Sequence, residues 1–503
     1  MSTSESETEI RVRIAPSPTG LFHIGTARTA LYNYLFARKY KGTMILRIED
    51  TDKERSTKEY EENILSGMKK IGITYDEGPD VEGKYGPYRQ SERTELYKKY
   101  LIELLLNDQA YYCFCPKERL EELKKEQMAK KLAPRYDGHC AELDSAESMK
   151  RVEKKGEKAV IRLRTQKISG GKAIRFEDLV RGETVLESTE FDDFIIARSI
   201  NEPLYNFTVV VDDISMKISH VIRGEDHISN TPKQILIYEA LGQETIPKFA
   251  HLPLILNEDK SKLSKRKNQV SVDDFLDDGY LPEALINFLA LLGWNAGGEQ
   301  EIFSMNELIE KFSLDRVHKG GAVFDLKRLD WINGEYIKRM VKENIDEFYK
   351  RAYPYVEGRA PQNPELIKRI FQDPDFDGRF KKLLEIWPAI SPLFSELPAY
   401  NLSLLMPEKF QITKDMLKAV FEKAKEVVKG TEWEKGDSSK APLLSDAFAG
   451  IVTNLGFKNG QVLWPIRVAL SGLEKSPNFA TLAVYLGKDE VLKRLDAALK
   501  KVV

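Results

Sequence analysis

The sequence predicts a multidomain α/β protein, in which a parallel, doubly wound sheet is split by an inserted segment and followed by an all-helical C-terminal region. Strand and helix patterns alternate near the N-terminus and resume after residue 202, which is typical of a parallel sheet. Between these stretches lie long charged helices and short alternating runs, which indicate an insertion. After about Trp331 the strand patterns largely disappear and helical periodicity dominates.

The length and composition narrow the class of protein. At roughly 150 residues per domain, the 503 residues should form about three or more domains. Hydrophobic residues make up 42% and charged residues 31%, a soluble globular profile, and no apolar run approaches the roughly 18 residues of a membrane span. The acidic N-terminus is neither a signal nor a transit peptide, and three cysteines argue against a disulfide framework. We therefore expect a cytoplasmic protein that has no membrane segment.

The first element is a strand, a tight Pro/Gly turn and a helix. Residues 9–14 alternate as a strand does, and residues 27–40 place apolar side chains on one helical face, with Thr26 as the predicted N-cap. Such a turn brings backbone N–H groups and the positive end of a helix dipole to a strand end, where phosphates bind. His23 precedes the helix, and Gly25 would let a ligand approach closely. The alternative is an ordinary strand–turn–helix in which His23 is structural.

Three further strands are predicted to end near the same sheet edge. Residues 43–49 form the second strand, which ends at Glu49. After the insertion, residues 206–211 read as a buried strand, and residues 220–222 read as another that leads into Arg223. Open α/β sheets place ligand-binding groups at the carboxyl ends of their strands, so Glu49 and Arg223 are candidate ligand contacts.

A basic loop follows a short strand at residues 254–257. Five basic residues fall within the eight positions 260–267, and lysine alternates with serine. A charge run of this kind is usually a solvated surface loop. The net charge of −2 argues against indiscriminate nucleic-acid binding, although a local basic face can still bind RNA phosphates.

Two of these stretches resemble the signatures of class I aminoacyl-tRNA synthetases, in the order and at the distance that the family requires. Residues 13–26 (RIAPSPTGLFHIGT) resemble the first signature in the form used by the glutamyl and glutaminyl branch, and residues 262–266 (KLSKR) resemble the second. Residues 464–472 (WPIRVALSG) and 476–477 (SP) resemble the anticodon-binding part of bacterial-type glutamyl-tRNA synthetases.

The resemblance implies a domain plan. It implies a Rossmann-like catalytic domain, an insertion that binds the tRNA acceptor end, a stem-contact domain that carries the basic loop, and an all-helical anticodon-binding region. The predicted bounds are 9–97 and 203–256 for the two catalytic halves, 98–202 for the insertion, 257–335 for the stem-contact domain and 336–503 for the anticodon-binding region.

The resemblance also implies a reaction and its partners. ATP, with Mg²⁺, would activate L-glutamate as glutamyl-adenylate, and the glutamyl group would pass to the 3′ end of tRNA(Glu). Mg²⁺ bridges phosphates with few protein ligands, so no dedicated protein site is expected. A monomer is expected from the resemblance.

Site residues follow by matching the family's motifs. The catalytic residues implied are His23, Lys262 and Lys265, and the ATP contacts are His23, Gly25, Thr26, Lys262, Ser264 and Lys265. The glutamate contacts implied are Arg13, Ser17, Glu49, Tyr205 and Arg223. A planar guanidinium suits the side-chain carboxylate and would be left unpaired by glutamine, so the arginines favour glutamate. The alternatives are a structural salt bridge of Arg223 with Glu225 or Asp226, and a helix-facing ion pair for Glu49.

Three cysteines resemble part of a zinc site found in some family members. Cys113, Cys115 and Cys140 would supply thiolates, and His139 or Glu142 could complete the four ligands that zinc prefers. The alternative, which the sequence alone favours, is three buried thiols without metal.

Four other functions compete with glutamate–tRNA ligation. A glutaminyl-tRNA synthetase would need a neutral-amide pocket and usually a β-rich C-terminal region. A paralogue that glutamylates a tRNA base generally lacks an anticodon domain. Another nucleotidyltransferase would not need the basic loop or the helical third, and a non-catalytic RNA-binding adaptor would have no use for His23 and Lys262.

Overall fold

Two units make up the chain in the computed structural model, which describes residues 9–187, 191–263 and 270–502. The first unit comprises Met1–Phe275 and Leu285–Leu326, and the second comprises Leu276–Ala284 and Lys327–Val503. Every described strand belongs to the first unit, whereas the described elements of the second unit are helices.

The described strands lie between residues 11 and 323. In chain order they are β1 (Arg11–Ile14), β2 (Thr43–Leu46), β3 (Ala110–Cys113), β4 (Val160–Leu163), β5 (Ile174–Asp178), β6 (Gly182–Leu186), β7 (Ile195–Ser199), β8 (Glu202–Pro203), β9 (His220–Gly224), β10 (Lys248–Leu252), β11 (Ile255–Leu256) and β12 (Ala322–Val323). Six of them form one sheet in the order β2-β1-β9-β10-β5-β6. Its neighbours are parallel except for the hairpin β5–β6, so the predicted parallel sheet is confirmed.

The helices of the N-terminal part cover and connect these strands. They are α1 (Ile24–Lys39), α2 (Lys58–Lys70), α3 (Thr94–Leu106), α4 (Lys117–Ala129), α5 (Ser145–Lys155), α6 (Thr165–Ser169), α7 (Tyr205–Ser215), α8 (Thr231–Ala240), α9 (Val272–Asp277), α10 (Pro282–Leu291) and α11 (Met305–Lys311). Helix α1 buries Ala27, Ala30, Leu31 and Leu35, the three- and four-residue spacing of one helical face. This burial places its N-terminus beside the carboxyl end of β1.

The strand predicted at residues 206–211 is wrong, because these residues lie in helix α7. The run is short and apolar, and such a run does not distinguish a buried strand from a buried helix by periodicity. Phe207, Val209, Val210 and Val211 are all buried, so tertiary packing on several sides overrides the β preference of valine. Asp212 and Asp213 therefore project from a helix and not from a strand end.

The predicted insertion contributes to two sheets. Strands β3, β4, β7 and β8 form a separate antiparallel sheet, in the order β3-β4-β7-β8. The hairpin β5–β6 instead extends the main sheet, where Asp178 lies in register with Phe249 of β10. Part of the segment 98–202 thus belongs to the main sheet, while the bounds of that segment stay a prediction.

The C-terminal helices confirm the predicted all-helical region. They are α12 (Leu326–Glu343), α13 (Ile345–Ala352), α14 (Pro364–Gln372), α15 (Ile386–Ile390), α16 (Leu402–Leu405), α17 (Lys414–Gly430), α18 (Ala441–Leu455), α19 (Asn459–Ser471), α20 (Phe479–Leu486) and α21 (Lys488–Val502). Helix α17 buries Leu417, Val420, Phe421, Ala424 and Val428 at helical spacing. Among the described residues, no helix is long and apolar enough to cross a membrane.

Candidate active site

A cavity of about 750 Å³ opens at the carboxyl ends of β1 and β9 and beside the start of α1. Its lining includes every described residue that the sequence predicts to bind ATP or glutamate, namely Arg13, Ser17, His23, Gly25, Thr26, Glu49, Tyr205, Arg223 and Lys262. Ser264 and Lys265 lie outside the described residues. Side chains from five separate segments, separated by up to 249 positions of sequence (262 minus 13), therefore meet in one place.

His23 caps helix α1, so the prediction that Thr26 is the N-cap is wrong. The helix begins at Ile24, and Nδ1 of His23 accepts hydrogen bonds from the backbone N–H of Gly25 (3.1 Å) and Thr26 (3.3 Å). An imidazole acceptor can replace the usual Ser, Thr, Asp or Asn oxygen, and composition rules do not anticipate it. Because Nδ1 accepts, the proton of a neutral ring lies on Nε2, 3.1 Å from Oγ1 of Thr26.

Gly25 is required by the His23 ring itself. A Cβ at this position would lie 2.9 Å from Cε1 and 3.0 Å from Nδ1 of His23, closer than van der Waals contact allows. The sequence attributes the glycine to the approach of a ligand. The structure shows that the cap conformation of His23 already needs it, and this conformation aims the ring at the cavity edge.

Arg223 is one of the buried cations of the cavity wall. Its Nε donates to Nε2 of His251 (3.1 Å), and its Nη2 donates to Oγ1 of Thr231 (2.7 Å). Nη1 is buried and has no hydrogen-bond partner among the residues that the structure describes. Buried polar groups are almost always paired, so the position and charge of this guanidinium nitrogen in the cavity wall suit an anion.

The alternative role of Arg223, a salt bridge to Glu225 or Asp226, is not what the structure contains. Glu225 contacts the guanidinium of Arg181 and accepts from the backbone N–H of Leu254 (2.8 Å). Within the described ranges, Arg223 pairs with no carboxylate, and burial lowers its pKa.

Arg13 lies on β1 and contacts the carboxylate of Asp213 from α7 through Nε (3.3 Å) and Nη2 (3.4 Å). Arg47, which is fully buried, donates to the same carboxylate (2.7 Å) and to Oε1 of Glu49 (3.3 Å). Burial raises the pKa of Asp213, but the charges of Arg13 and Arg47 outweigh it and hold the pKa below its usual value. This network fixes Arg13 and Glu49 in the cavity wall.

Glu49 is buried and pairs with Arg47 from its own chain segment, not with a cation on a helix face. Burial raises the pKa of Glu49 to about 6, although Arg47 and Arg13 oppose the shift. Ser17 donates from Oγ to the backbone carbonyl of Glu49 (2.8 Å), which joins the turn after β1 to the end of the second strand segment.

Tyr205 and Lys262 are the remaining predicted residues of the described lining. The hydroxyl of Tyr205 lies 3.1 Å from Nδ1 of His227, and burial raises the pKa of Tyr205 to about 12, so the phenol is neutral. Lys262 has a 61% exposed side chain with Nζ 4.0 Å from Asp226. An exposed lysine at the cavity mouth is a mobile cation that suits phosphate.

The three cysteines form a cluster outside the cavity. Their Sγ atoms lie within 4.8 Å of one another, with Cys115 and Cys140 3.6 Å apart. Oη of Tyr136 lies 3.3 Å from Sγ of Cys113 and 3.5 Å from Sγ of Cys115. Neither His139 nor Glu142 belongs to this group of converging ligand atoms, and Tyr136 is a contact that the sequence did not single out.

Two family descriptions cover most of the chain. Residues 9–331 match "tRNA synthetases class I (E and Q), catalytic domain", and residues 347–499 match "Anticodon binding domain".

Individual relatives are similar over the full length. The glutamate–tRNA ligase of Carboxydothermus hydrogenoformans is 44% identical over 497 residues, covering 97% of this chain and 99% of the relative. That of Moorella thermoacetica is 41% identical over 500 residues, covering 97% and 98%. A crystal structure of a glutamate tRNA ligase from Elizabethkingia meningosepticum in complex with its amino acid superposes with a TM-score of 0.85 at 31% identity, covering 98% of this chain and all of that one.

Proposed function

The chain belongs to the glutamate and glutamine branch of the class I tRNA synthetases, and we propose how its cavity performs the reaction. That reaction is the one of a glutamate–tRNA ligase. L-glutamate and ATP bind in the cavity, glutamyl-adenylate forms, and the glutamyl group passes to tRNA(Glu). The observation that carries the proposal is Nη1 of Arg223, which is buried in the cavity wall and has no hydrogen-bond partner among the described residues.

Glutamate selection rests on the two arginines. Arg223 offers Nη1 to the side-chain carboxylate, and Arg13, held by Asp213, adds a second positive charge. Glutamine would bring an uncharged amide to Arg223 and leave the charge of this buried guanidinium unpaired, which disfavours glutamine. Glu49, buried in the cavity wall, would receive the α-ammonium group of glutamate.

ATP binding rests on the start of α1 and on the basic loop. The N-terminus of α1 carries the positive end of its dipole, and His23 can donate a hydrogen bond to a phosphate oxygen through Nε2. Lys262, together with Ser264 and Lys265 of the same loop, would contact the β- and γ-phosphates, with Mg²⁺ bridging them.

The cavity then needs to align two displacements. The α-carboxylate of glutamate attacks the α-phosphorus of ATP and pyrophosphate leaves, and the developing negative charge meets His23 and Lys262. The terminal ribose hydroxyl of tRNA next attacks the activated carbonyl and AMP leaves. The protein supplies alignment and positive charge and forms no covalent bond.

The first experiment is aminoacylation of unfractionated tRNA with ATP and labelled glutamate or glutamine, beside ATP–pyrophosphate exchange with and without tRNA. Transfer of glutamate to the tRNA 3′ end is the expected result. Transfer of glutamine would indicate a glutaminyl-tRNA synthetase. Glutamate that stays attached to the tRNA after its 3′ end is removed would indicate the paralogue that glutamylates a tRNA base. Absence of ATP binding would favour the adaptor. Purified tRNAs then define which species are charged.

Glutamate use is expected to decline in acid with the titration of Glu49. Because its pKa is raised to about 6, the carboxyl becomes neutral below that pH and loses its attraction for the α-ammonium group. Lowering the pH from 7.5 to 5 should reduce kcat/KM for glutamate by about tenfold, since this parameter reports the free enzyme.

Glu49→Gln is the matched variant for this titration. It should have a low kcat/KM for glutamate at every pH, without the decline near pH 6. A wild-type profile for glutamate that stays level down to pH 5 would contradict the assigned role. Exchange measured as a function of ATP concentration at each pH separates this titration from changes in the nucleotide.

We also propose that the cysteine cluster holds one structural zinc ion. In a tetrahedral site with Zn–S bonds of ~2.3 Å the sulfurs are ~3.8 Å apart, close to the separation of Cys115 and Cys140. The convergence of three thiols with Tyr136 is the observation that favours metal over three unliganded thiols. The ion would tie β3 to the loop that carries Cys140 and take no part in the reaction.

Elemental analysis of protein purified without chelators should find about one zinc per chain. Cys115→Ser combined with Cys140→Ser should lose the metal and unfold at a lower temperature. Wild-type protein free of zinc would show that the cluster is three thiols without metal.

The family resemblance supports a monomer that acts in the cytoplasm. Sedimentation of the purified chain, alone and with tRNA, tests the monomer directly, and a mass of two chains would contradict it.

A further inference from the structure

Behind Arg223 lies a buried chain of hydrogen bonds that reaches out of the cavity. Nε of Arg223 on β9 donates to Nε2 of His251 on β10, and Nδ1 of His251 lies 2.6 Å from Oδ2 of Asp178 on β5. Both His251 and Asp178 have fully buried side chains. Neither residue lines the cavity, so the chain joins the cavity wall to the hairpin strand β5, two strands away in the sheet.

The partners determine where the proton of His251 lies. An arginine N–H can only donate, so Nε2 of His251 must accept and the single proton of the neutral ring must be on Nδ1. Oδ2 of Asp178 accepts the hydrogen bond that Nδ1–H of His251 donates. Without an acceptor facing Nδ1, the ring proton could lie on Nε2 instead. The Nε2–H group would then face the N–H of Arg223 and repel the guanidinium.

Asp178 is itself held in one orientation. Its Oδ1 accepts from the backbone N–H groups of Val180 (3.0 Å), Arg181 (2.8 Å) and His251 (3.2 Å), which leaves Oδ2 for the imidazole. This carboxylate therefore cannot rotate without breaking three backbone hydrogen bonds. Because Asp178 holds the His251 ring and the ring accepts from Nε of Arg223, the orientation of the guanidinium is held as well.

We propose that His251 and Asp178 are positioning residues for glutamate selection: they fix the orientation of Arg223 so that Nη1 faces the substrate carboxylate. This inference rests on the proposed role of Arg223 in glutamate binding. An arginine side chain has several rotatable bonds, and anchoring Nε and Nη2 before the substrate arrives removes the cost of ordering it on binding. His251 acts on one of these anchors, and Thr231 acts on the other.

Asp178→Asn tests the proton position with little change in shape. The three backbone N–H groups would keep the amide oxygen in the place of Oδ1, so the amide N–H₂ would face Nδ1 of His251. The ring must then carry its proton on Nε2, which faces both Nε of Arg223 and Oγ1 of Thr231, so Nε2 can no longer accept from Arg223. We expect KM for glutamate in ATP–pyrophosphate exchange to rise about 10–100-fold, while KM for ATP changes by less than about twofold.

His251 provides a rescue test. In His251→Gln the amide oxygen can occupy the place of Nε2 and accept from Arg223, whereas His251→Leu offers no acceptor. The His251→Gln variant should therefore have a lower KM for glutamate than the His251→Leu variant, although the two new side chains fill similar space. The comparison of these two His251 variants still tests the positioning role if Asp178→Asn does not fold.

Asp193→Asn is the matched control. Asp193 is another carboxylate of the inserted segment and bonds Tyr111 and Thr165, away from the cavity lining. It should leave both KM values unchanged. Thermal unfolding of each variant checks the fold.

The outcomes separate this inference from the proposed function. Wild-type protein that exchanges pyrophosphate with glutamate, beside a folded Asp178→Asn with an unchanged KM for glutamate, would overturn the positioning role alone. An equal rise of the KM values for glutamate and ATP would overturn it too, since that is what a general structural defect produces. Wild-type protein without glutamate-dependent exchange would overturn the proposed function and this inference with it.

Discussion

Replacing Arg223 by alanine is expected to lower kcat/KM for glutamate in ATP–pyrophosphate exchange by about 10²–10³-fold, because a buried charge-assisted contact contributes ~2–5 kcal/mol. The substrate carboxylate would lose its partner at Nη1. The fold should survive, because the buried guanidinium pairs with no described carboxylate. Its removal therefore leaves none of the described carboxylates without a partner. Exchange in the presence of tRNA, with circular dichroism on the same samples, measures both effects.

Two further variants sharpen this prediction. Arg223→Lys keeps a charge but not the planar fork, so it should recover only part of the loss. Arg175→Ala removes an exposed arginine that pairs with Glu183 on the neighbouring strand, and it should match wild type. Exchange by Arg223→Ala within about threefold of wild type would remove Arg223 from the glutamate site.

Local sequence was enough to predict the turn after β1 and two charged residues of the cavity lining. Glu49 follows β2 and Arg223 lies near the end of β9, and the geometry of parallel sheets brings such positions to one edge. The role of Lys262 was assigned from the family resemblance, since a basic run by itself usually indicates a solvated loop. Glu49 and Arg223 could be predicted because one short stretch of chain contains both the charged side chain and the strand that positions it.

The elements that sequence did not predict depend on contacts between distant segments. Residues 206–211 form a helix because other elements bury them on several sides, and their own pattern suits a strand equally well. The pairing of Asp178 with His251 spans 73 positions and leaves no periodic trace. Arg47 offered one signal, since it stands two positions before Glu49 on an extended segment and so shares its face.

His23→Asn is expected to lower the rate of ATP–pyrophosphate exchange by about 10²–10³-fold, the usual effect of removing one hydrogen-bond donor to developing negative charge. Asparagine is among the best N-cap residues, so its side-chain oxygen can replace Nδ1 in capping α1. The stability of the protein should therefore stay close to that of wild type. The substitution removes the Nε2 donor and its contact with Oγ1 of Thr26 but keeps the cap.

His23→Ala separates the two roles of the same side chain. It should lose the donor and the cap together, so its exchange rate should resemble that of His23→Asn while its free energy of unfolding falls by about 1 kcal/mol. Full exchange activity in His23→Asn would mean that the imidazole serves only to start the helix. Equal stability of the two variants would mean that the contacts of Nδ1 with Gly25 and Thr26 contribute nothing, and that the donor alone accounts for histidine at this position.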